Sequence, residues 1–187
     1  SFLALMVSLA AHQTTSSDCQ ATRRKGCAAS LGYSYRHLPM KIPCTIGMLT
    51  YNSEKNLARA LASVVDFAEV IVADGGSTDA TLEITKEYGA RVISQSHPGH
   101  AITDFSRERN LTLSAATQPW FFYLDSDEIM SPELVSFIRD ITSHTTTLAF
   151  GAYRVRYLKT NADASKVYRT YKEYYQIRLV RTDVGAH

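Results

Sequence analysis

From Cys44 onward, apolar runs and amphipathic runs take turns, and this alternation restricts the fold more than any other feature of the chain. Cys44–Leu49 is a short apolar run followed by Thr50-Tyr51-Asn52-Ser53, a turn able to cap a helix. Leu57, Leu61, Val64 and Val65 then recur at helical spacing. Glu69–Ala73 reads as a second strand ending at Asp74-Gly75-Gly76-Ser77, and a helix around Ala80–Tyr88 stops at Gly89. Arg91–Ser94 is a short third strand. Ile102–Ala116 reads as a helix, and Trp120–Leu124 as a β-prone strand ending at Asp125-Ser126-Asp127. Ser131-Pro132-Glu133 supplies an N-cap, a first-turn proline and a first-turn acid for a further helix. Strand, helix, strand, helix requires parallel strands joined by crossovers, hence an α/β domain with a doubly wound sheet. Beyond Leu148 the pattern changes: Phe150–Lys159 and Tyr174–Arg181 read as longer strands with no helix between them.

Composition sets the outer limits. A chain of 187 residues, 45% hydrophobic and 20% charged, suits one globular domain and excludes disordered or collagen-like classes. No apolar run reaches the roughly 18–20 residues of a membrane-spanning helix. Residues 1–39 lack strand or helix periodicity and are expected to be a disordered or mis-assigned leader that adds nothing to the fold. Met40-Lys41 then reads as a natural start, with the domain at 40–187. Of 20 basic and 18 acidic residues, four and one lie in 1–39, leaving 16 against 17 in the body. That balance offers no footprint for nucleic acid. Cys19, Cys27 and Cys44 are odd in number and lack metal-ligand spacing, as suits reduced thiols in a cytoplasmic protein.

In an open α/β sheet, ligands bind beyond the carboxyl ends of the strands. Three strands deliver chemistry there: Thr50-Tyr51-Asn52 with Glu54, then Asp74-Gly75-Gly76-Ser77, then Asp125-Ser126-Asp127-Glu128. Each alone reads as a turn or a cap. Together they read as one pocket, because like carboxylates at one strand mouth oppose each other's ionisation unless a cation sits between them. Mg²⁺ or Mn²⁺ binds through one or two carboxylates plus substrate phosphates, so Asp125 and Asp127 read as a station for a metal-bound diphosphate. Gly75 and Gly76 allow close backbone approach to a ligand, but no Gly-x-Gly-x-x-Gly fingerprint marks a dinucleotide site. His97 and His100 lack a third ligand and read as a solvated loop.

Four stretches, TIGMLTYNSEKNLARALAS, VIVADGGSTDATLEI, SRERNLTLSAA and WFFYLDSDEIMSPEL, resemble in content, order and spacing the family 2 glycosyltransferases of the GT-A fold. YYQIRLVR at 174–181 resembles the branch that adds sugars to bacterial lipopolysaccharide core. The resemblance implies a mostly parallel sheet flanked by helices, with a partial C-terminal acceptor region and a domain truncated at its C-terminal end. It implies nucleotide-sugar contacts at Thr50, Tyr51, Asn52, Glu54, Asp74, Ser77, Arg109, Asp125 and Ser126, and metal ligation by Asp125 and Asp127. The implied reaction is metal-dependent, inverting transfer of a sugar from a nucleoside diphosphate, UDP foremost, to a hydroxyl of a saccharide or lipid-linked acceptor. The expected location is the cytoplasm, with peripheral contact at the inner face of the membrane. The chain departs from the family at Gly75, where many members carry a second acid, and in offering no catalytic base beyond the unsupported Glu128 and Glu173. Two rival readings stand beside it. One is a catalytically inactive nucleotide-sugar-binding fragment; the other is a haloacid-dehalogenase-like phosphotransferase with an Asp of the Asp-x-Asp as nucleophile.

Overall fold

A computed structural model describes residues 4–8, 40–100, 102–143, 152–160, 167–168 and 174–182. The chain divides into two compact units, residues 1–9 with 41–187 and residues 10–40, and of the second only Met40 is described. In chain order the elements are β1 (Ala4–Ser8), β2 (Ile42–Thr50), α1 (Glu54–Ala62), β3 (Phe67–Asp74), α2 (Thr81–Glu87), β4 (Arg91–Ser94), α3 (Phe105–Ser114), β5 (Trp120–Tyr123), α4 (Pro132–Ser143), β6 (Ala152–Thr160), β7 (Val167–Tyr168) and β8 (Tyr174–Arg181).

They build one sheet in the order β1-β6-β8-β5-β2-β3-β4, with β7 on β6. The strands β5, β2, β3 and β4 run parallel, as the alternation of the sequence requires. Where the alternation stops, the sheet turns antiparallel: β8 pairs with β5, β6 with β8, and β1 with β6. The result is the α/β sheet flanked by helices that the sequence implied.

The central strand β2 is covered on both faces, so it reads as an almost unbroken apolar run. Ile42, Cys44, Ile46 and Met48 pack with Leu57 and Leu61 of α1, Leu134 and Ile138 of α4, and Trp120 and Phe122 of β5. Leu49 lies on the opposite face with Ala73, Phe121 and Tyr123, against which Leu113 of α3 packs. Gly47 lets α3 come close: a Cβ there would strike the Phe121 ring and lie 2.6 Å from the Thr112 hydroxyl.

Two expectations change. Val65 does not share the face of α1, because the helix ends at Ala62; Val64 is buried while Val65 is 52% exposed. The leader is not wholly outside the fold either. Residues 4–8 join the sheet through antiparallel pairing of Ala4–Ser8 with Arg156–Thr160. Backbone pairing needs no side-chain periodicity, so a five-residue edge strand leaves little trace in the sequence. Residues 9–39 lie outside those described, apart from the expectation placed on them.

Candidate nucleotide-sugar site

The ends of β2 and β3 are fastened to each other by side chains. Asp74 is buried at the last position of β3, and its carboxylate accepts from the Gly76 and Ser77 amides, both at 2.8 Å. It also accepts from the Ser77 hydroxyl at 2.6 Å and the Thr50 hydroxyl at 3.0 Å. Ser77 Oγ in turn accepts from the Asn52 amide at 2.9 Å. Asn52 sits at φ 47°, a left-handed conformation Asn tolerates, and its Oδ1 accepts from the Thr78 amide at 2.9 Å. Glu54 and Asp79 exchange bonds across the starts of the two helices: Glu54 N donates to Asp79, and Ala80 N donates to Glu54. Glu54, Asp74 and Ser77 therefore hold the loops together.

The glycines serve the same packing. Gly76 has φ +89°, and a Cβ there would lie 3.2 Å from the Gly99 amide nitrogen. The Gly99 amide donates to the Gly75 carbonyl at 2.6 Å. The close approach expected at these glycines thus comes, at Gly76, from the chain's own loop. Gln95, also buried, donates from Nε2 to the carbonyls of Thr50 and Ala73 at 3.1 and 2.9 Å.

The end of β5 is held by charge. Asp125 accepts from the Tyr123 hydroxyl at 2.6 Å and from Arg178 Nη2 at 3.1 Å. The same Nη2 reaches Glu128 at 3.1 Å, and Arg178 Nη1 donates to the Tyr123 carbonyl at 3.2 Å. Glu128 accepts from the Asp125 amide at 3.0 Å. Arg109, from α3, lies 4.1 Å from the Tyr123 ring centre and 3.8 Å from Asp125. Two carboxylates thus share the buried Arg178. Burial alone would discourage ionisation of Asp125, but Arg178 and the Tyr123 hydroxyl outweigh it and hold its pKa below the ordinary value. Glu128 takes the opposite course: burial, and the Asp125 charge beside it, push it up to about 8 against the pull of Arg178. Asp127 is also raised, by burial first and Asp125 second.

Between these strand ends lies a cavity of about 520 Å³. Thr50, Tyr51, Asn52, Arg109, Asp125, Ser126 and Asp127 line it, together with Ser53, Lys55 and Phe105, which sequence reasoning missed. The Ser53 and Ser126 hydroxyls, 3.2 Å apart, close its floor between β2 and β5. Glu54, Asp74 and Ser77 stand behind this wall instead of forming it.

The donor set offers a divalent cation two carboxylates that are held unequally. Both oxygens of Asp125 are engaged by Tyr123 and Arg178. Asp127 faces the cavity with no ion pair among the described residues. No group of three or more His, Cys, Asp or Glu side chains among the described residues could hold a metal unaided. One carboxylate with substrate phosphates is an ordinary arrangement for Mg²⁺. Glu128, weighed as a catalytic base, is buried against Arg178 and does not line the cavity. Glu173, the other candidate base, lies outside the described residues. Arg178 itself was not foreseen as part of the site; its signal was a charge set among the apolar residues of β8.

Residues 45–185 match the family model described as glycosyl transferase family 2, and the chain belongs to that family. A TPR repeat-containing protein of Synechococcus elongatus is 34% identical over 72% of this chain and 32% of its own length. The lipopolysaccharide core biosynthesis glycosyltransferase LpsC of Rhizobium meliloti is 27% identical over 50% of this chain and 35% of its own. Among solved structures, S. aureus TarS 1–349 in complex with UDP is 29% identical, with a TM-score of 0.47 over 57% of this chain and 33% of that one. The chain spans about a third of the length of these relatives. Among the described residues, no helix is long and apolar enough to cross a membrane.

Proposed function

We propose that the chain binds a nucleoside-diphosphate sugar, with UDP as the nucleotide, and passes the sugar with inversion to a hydroxyl of a saccharide or lipid-linked acceptor. The observation that carries this reading is the cavity itself. It opens at the carboxyl ends of parallel strands and is lined by Asp127 together with Arg109 and Lys55. Those cations suit the negative charge of a diphosphate, and Asp127 would hold a Mg²⁺ or Mn²⁺ ion. When bound, the metal supplies Lewis-acid stabilisation of the leaving diphosphate. The Tyr51 ring, 55% exposed at the cavity edge, offers a face for a base. The reaction is expected in the cytoplasm, with the protein meeting a lipid-linked acceptor at the membrane surface.

The phosphotransferase reading is dropped. Arg178 lowers the basicity of the Asp125 carboxylate, which weakens it as a nucleophile. Family membership points away from it as well. A panel of UDP-, GDP- and dTDP-sugars tested by thermal shift, with Mn²⁺ and with chelator, tests the donor. UDP-sugars should raise the melting temperature most, and only with metal; at a hundredfold excess over Kd the gain is about 2.7 kcal/mol. Equal shifts with metal and with chelator would remove the metal from the account. Transfer measured on the same sample separates an enzyme from a module that only binds.

A further inference from the structure

Tyr123 is the last residue of β5, it lines the cavity, and it touches three charged side chains. Its hydroxyl donates to Asp125 Oδ1 at 2.6 Å. Two guanidinium groups lie against its ring, Arg109 at 4.1 Å and Arg178 at 4.9 Å from the ring centre. Arg178 also has two carboxylates at 3.1 Å. Arg109 is placed differently. The carboxylate oxygen it faces is the same Asp125 Oδ1 that Tyr123 occupies, and at 3.8 Å it is beyond hydrogen-bond reach. Arg109 Nε is buried and has no hydrogen-bond partner among the described residues. Phe105 offers Arg109 a second ring, but at 6.0 Å and more than half exposed. A ring face attracts a guanidinium through its π-cloud and leaves the N–H edge unused. A carboxylate would hold the same group by consuming that edge.

On the donor reading above, we propose that Tyr123 is a positioning residue that keeps Arg109 available to the diphosphate. The ring holds the guanidinium at the cavity wall. The hydroxyl occupies the Asp125 oxygen that would otherwise draw Arg109 into a closed ion pair. Phenylalanine at this position supplies the first effect without the second, and an aliphatic residue supplies neither. Phe121, two residues earlier and in the same apolar cluster, needs no hydroxyl because it meets no charge.

The test is calorimetric titration of UDP and of uridine, with Mn²⁺ present, into the full chain, Tyr123→Phe, Arg109→Met and the double variant. The ratio of the two affinities reads the hold on the diphosphate and cancels any general loss of folded protein. Arg109→Met should lower that ratio by roughly tenfold or more, the scale of a charge-assisted hydrogen bond. Tyr123→Phe should lower it severalfold in the parent and leave it unaltered once Arg109 is gone. Tyr123→Leu, which removes the ring as well, should bring the ratio down to that of Arg109→Met. A merely structural Tyr123 would leave the ratio where it was, and a hydroxyl acting on the metal through Asp125 would shift it in both backgrounds. Either result overturns the inference, as does a Tyr123→Leu ratio no lower than that of Tyr123→Phe. An unchanged ratio in Arg109→Met also overturns it and leaves the donor site standing. A parent that binds neither ligand overturns the donor reading and this inference with it.

Discussion

The two strands flanking β2 each deliver an aspartate to the site, and the two aspartates are held in opposite ways. Asp74, at the end of β3, is enclosed by neutral donors, three of them within its own loop. Asp125, just beyond β5, is held by Tyr123 beside it and by Arg178 from β8, 53 residues further along the chain. One end is held within its own turn and by Thr50 of the neighbouring β2. The other exists only once the antiparallel half of the sheet has docked on the parallel half. Asp74 organises a wall with neutral donors, whereas the β5 end gathers charge beside the cavity.

The largest effect is expected where the buried cation is removed. Arg178→Met removes the buried cation that Asp125 and Glu128 share, leaving Asp125 the Tyr123 hydroxyl and the more distant Arg109, and breaking such a pair costs roughly 3–5 kcal/mol. Urea denaturation measures it. A loss below about 1 kcal/mol, the scale of an exposed pair, would mean that the β5 end holds itself without β8.

Asp74→Ala comes next. It strips the turn of its acceptor and should cost roughly 1–3 kcal/mol, with uridine binding weakened through the displaced loop. Lost uridine binding at unchanged stability would instead make Asp74 a direct nucleoside contact, as the family resemblance implied.

A third effect is a pH dependence. Glu128 has a folded-state pKa of about 8 against an ordinary 4.5, so the folded chain holds an extra proton between those values. Its contribution to stability is therefore full at the acid end of that window and declines as pH rises toward 8. Asp125 acts in the opposite sense, losing its contribution only as pH falls below its ordinary range. Glu128→Gln should flatten the slope between pH 5 and 8 on the order of one proton's worth. An unaltered slope would place the proton elsewhere.

The parallel half was legible because its information is local. Alternating apolar and amphipathic runs gave β2 to α4, with Ile102–Ala116 trimmed to Phe105–Ser114 by Asp104, which caps α3 through the Arg107 amide. The strand-end motifs marked the cavity for the same reason. What sequence could not give was pairing between distant segments. Nothing in Ala4–Ser8 announces β6 as its partner, and nothing in Asp125-Ser126-Asp127 announces that Arg178 will occupy one of its carboxylates. The spacing of two aspartates suggested a pair of equal ligands, and Arg178 makes them unequal.

That inequality is the centre of the account, and titration of UDP with and without Mn²⁺ into the parent and Asp127→Asn tests it most directly. In the parent, Mn²⁺ should tighten UDP by roughly tenfold or more, about 1.4 kcal/mol. In Asp127→Asn, UDP should bind as it does to the metal-free parent, with Mn²⁺ adding nothing and the melting temperature of the free protein unchanged. Equal tightening by Mn²⁺ in both proteins would show that Asp127 does not anchor the metal, and would contradict the division of labour between the two aspartates.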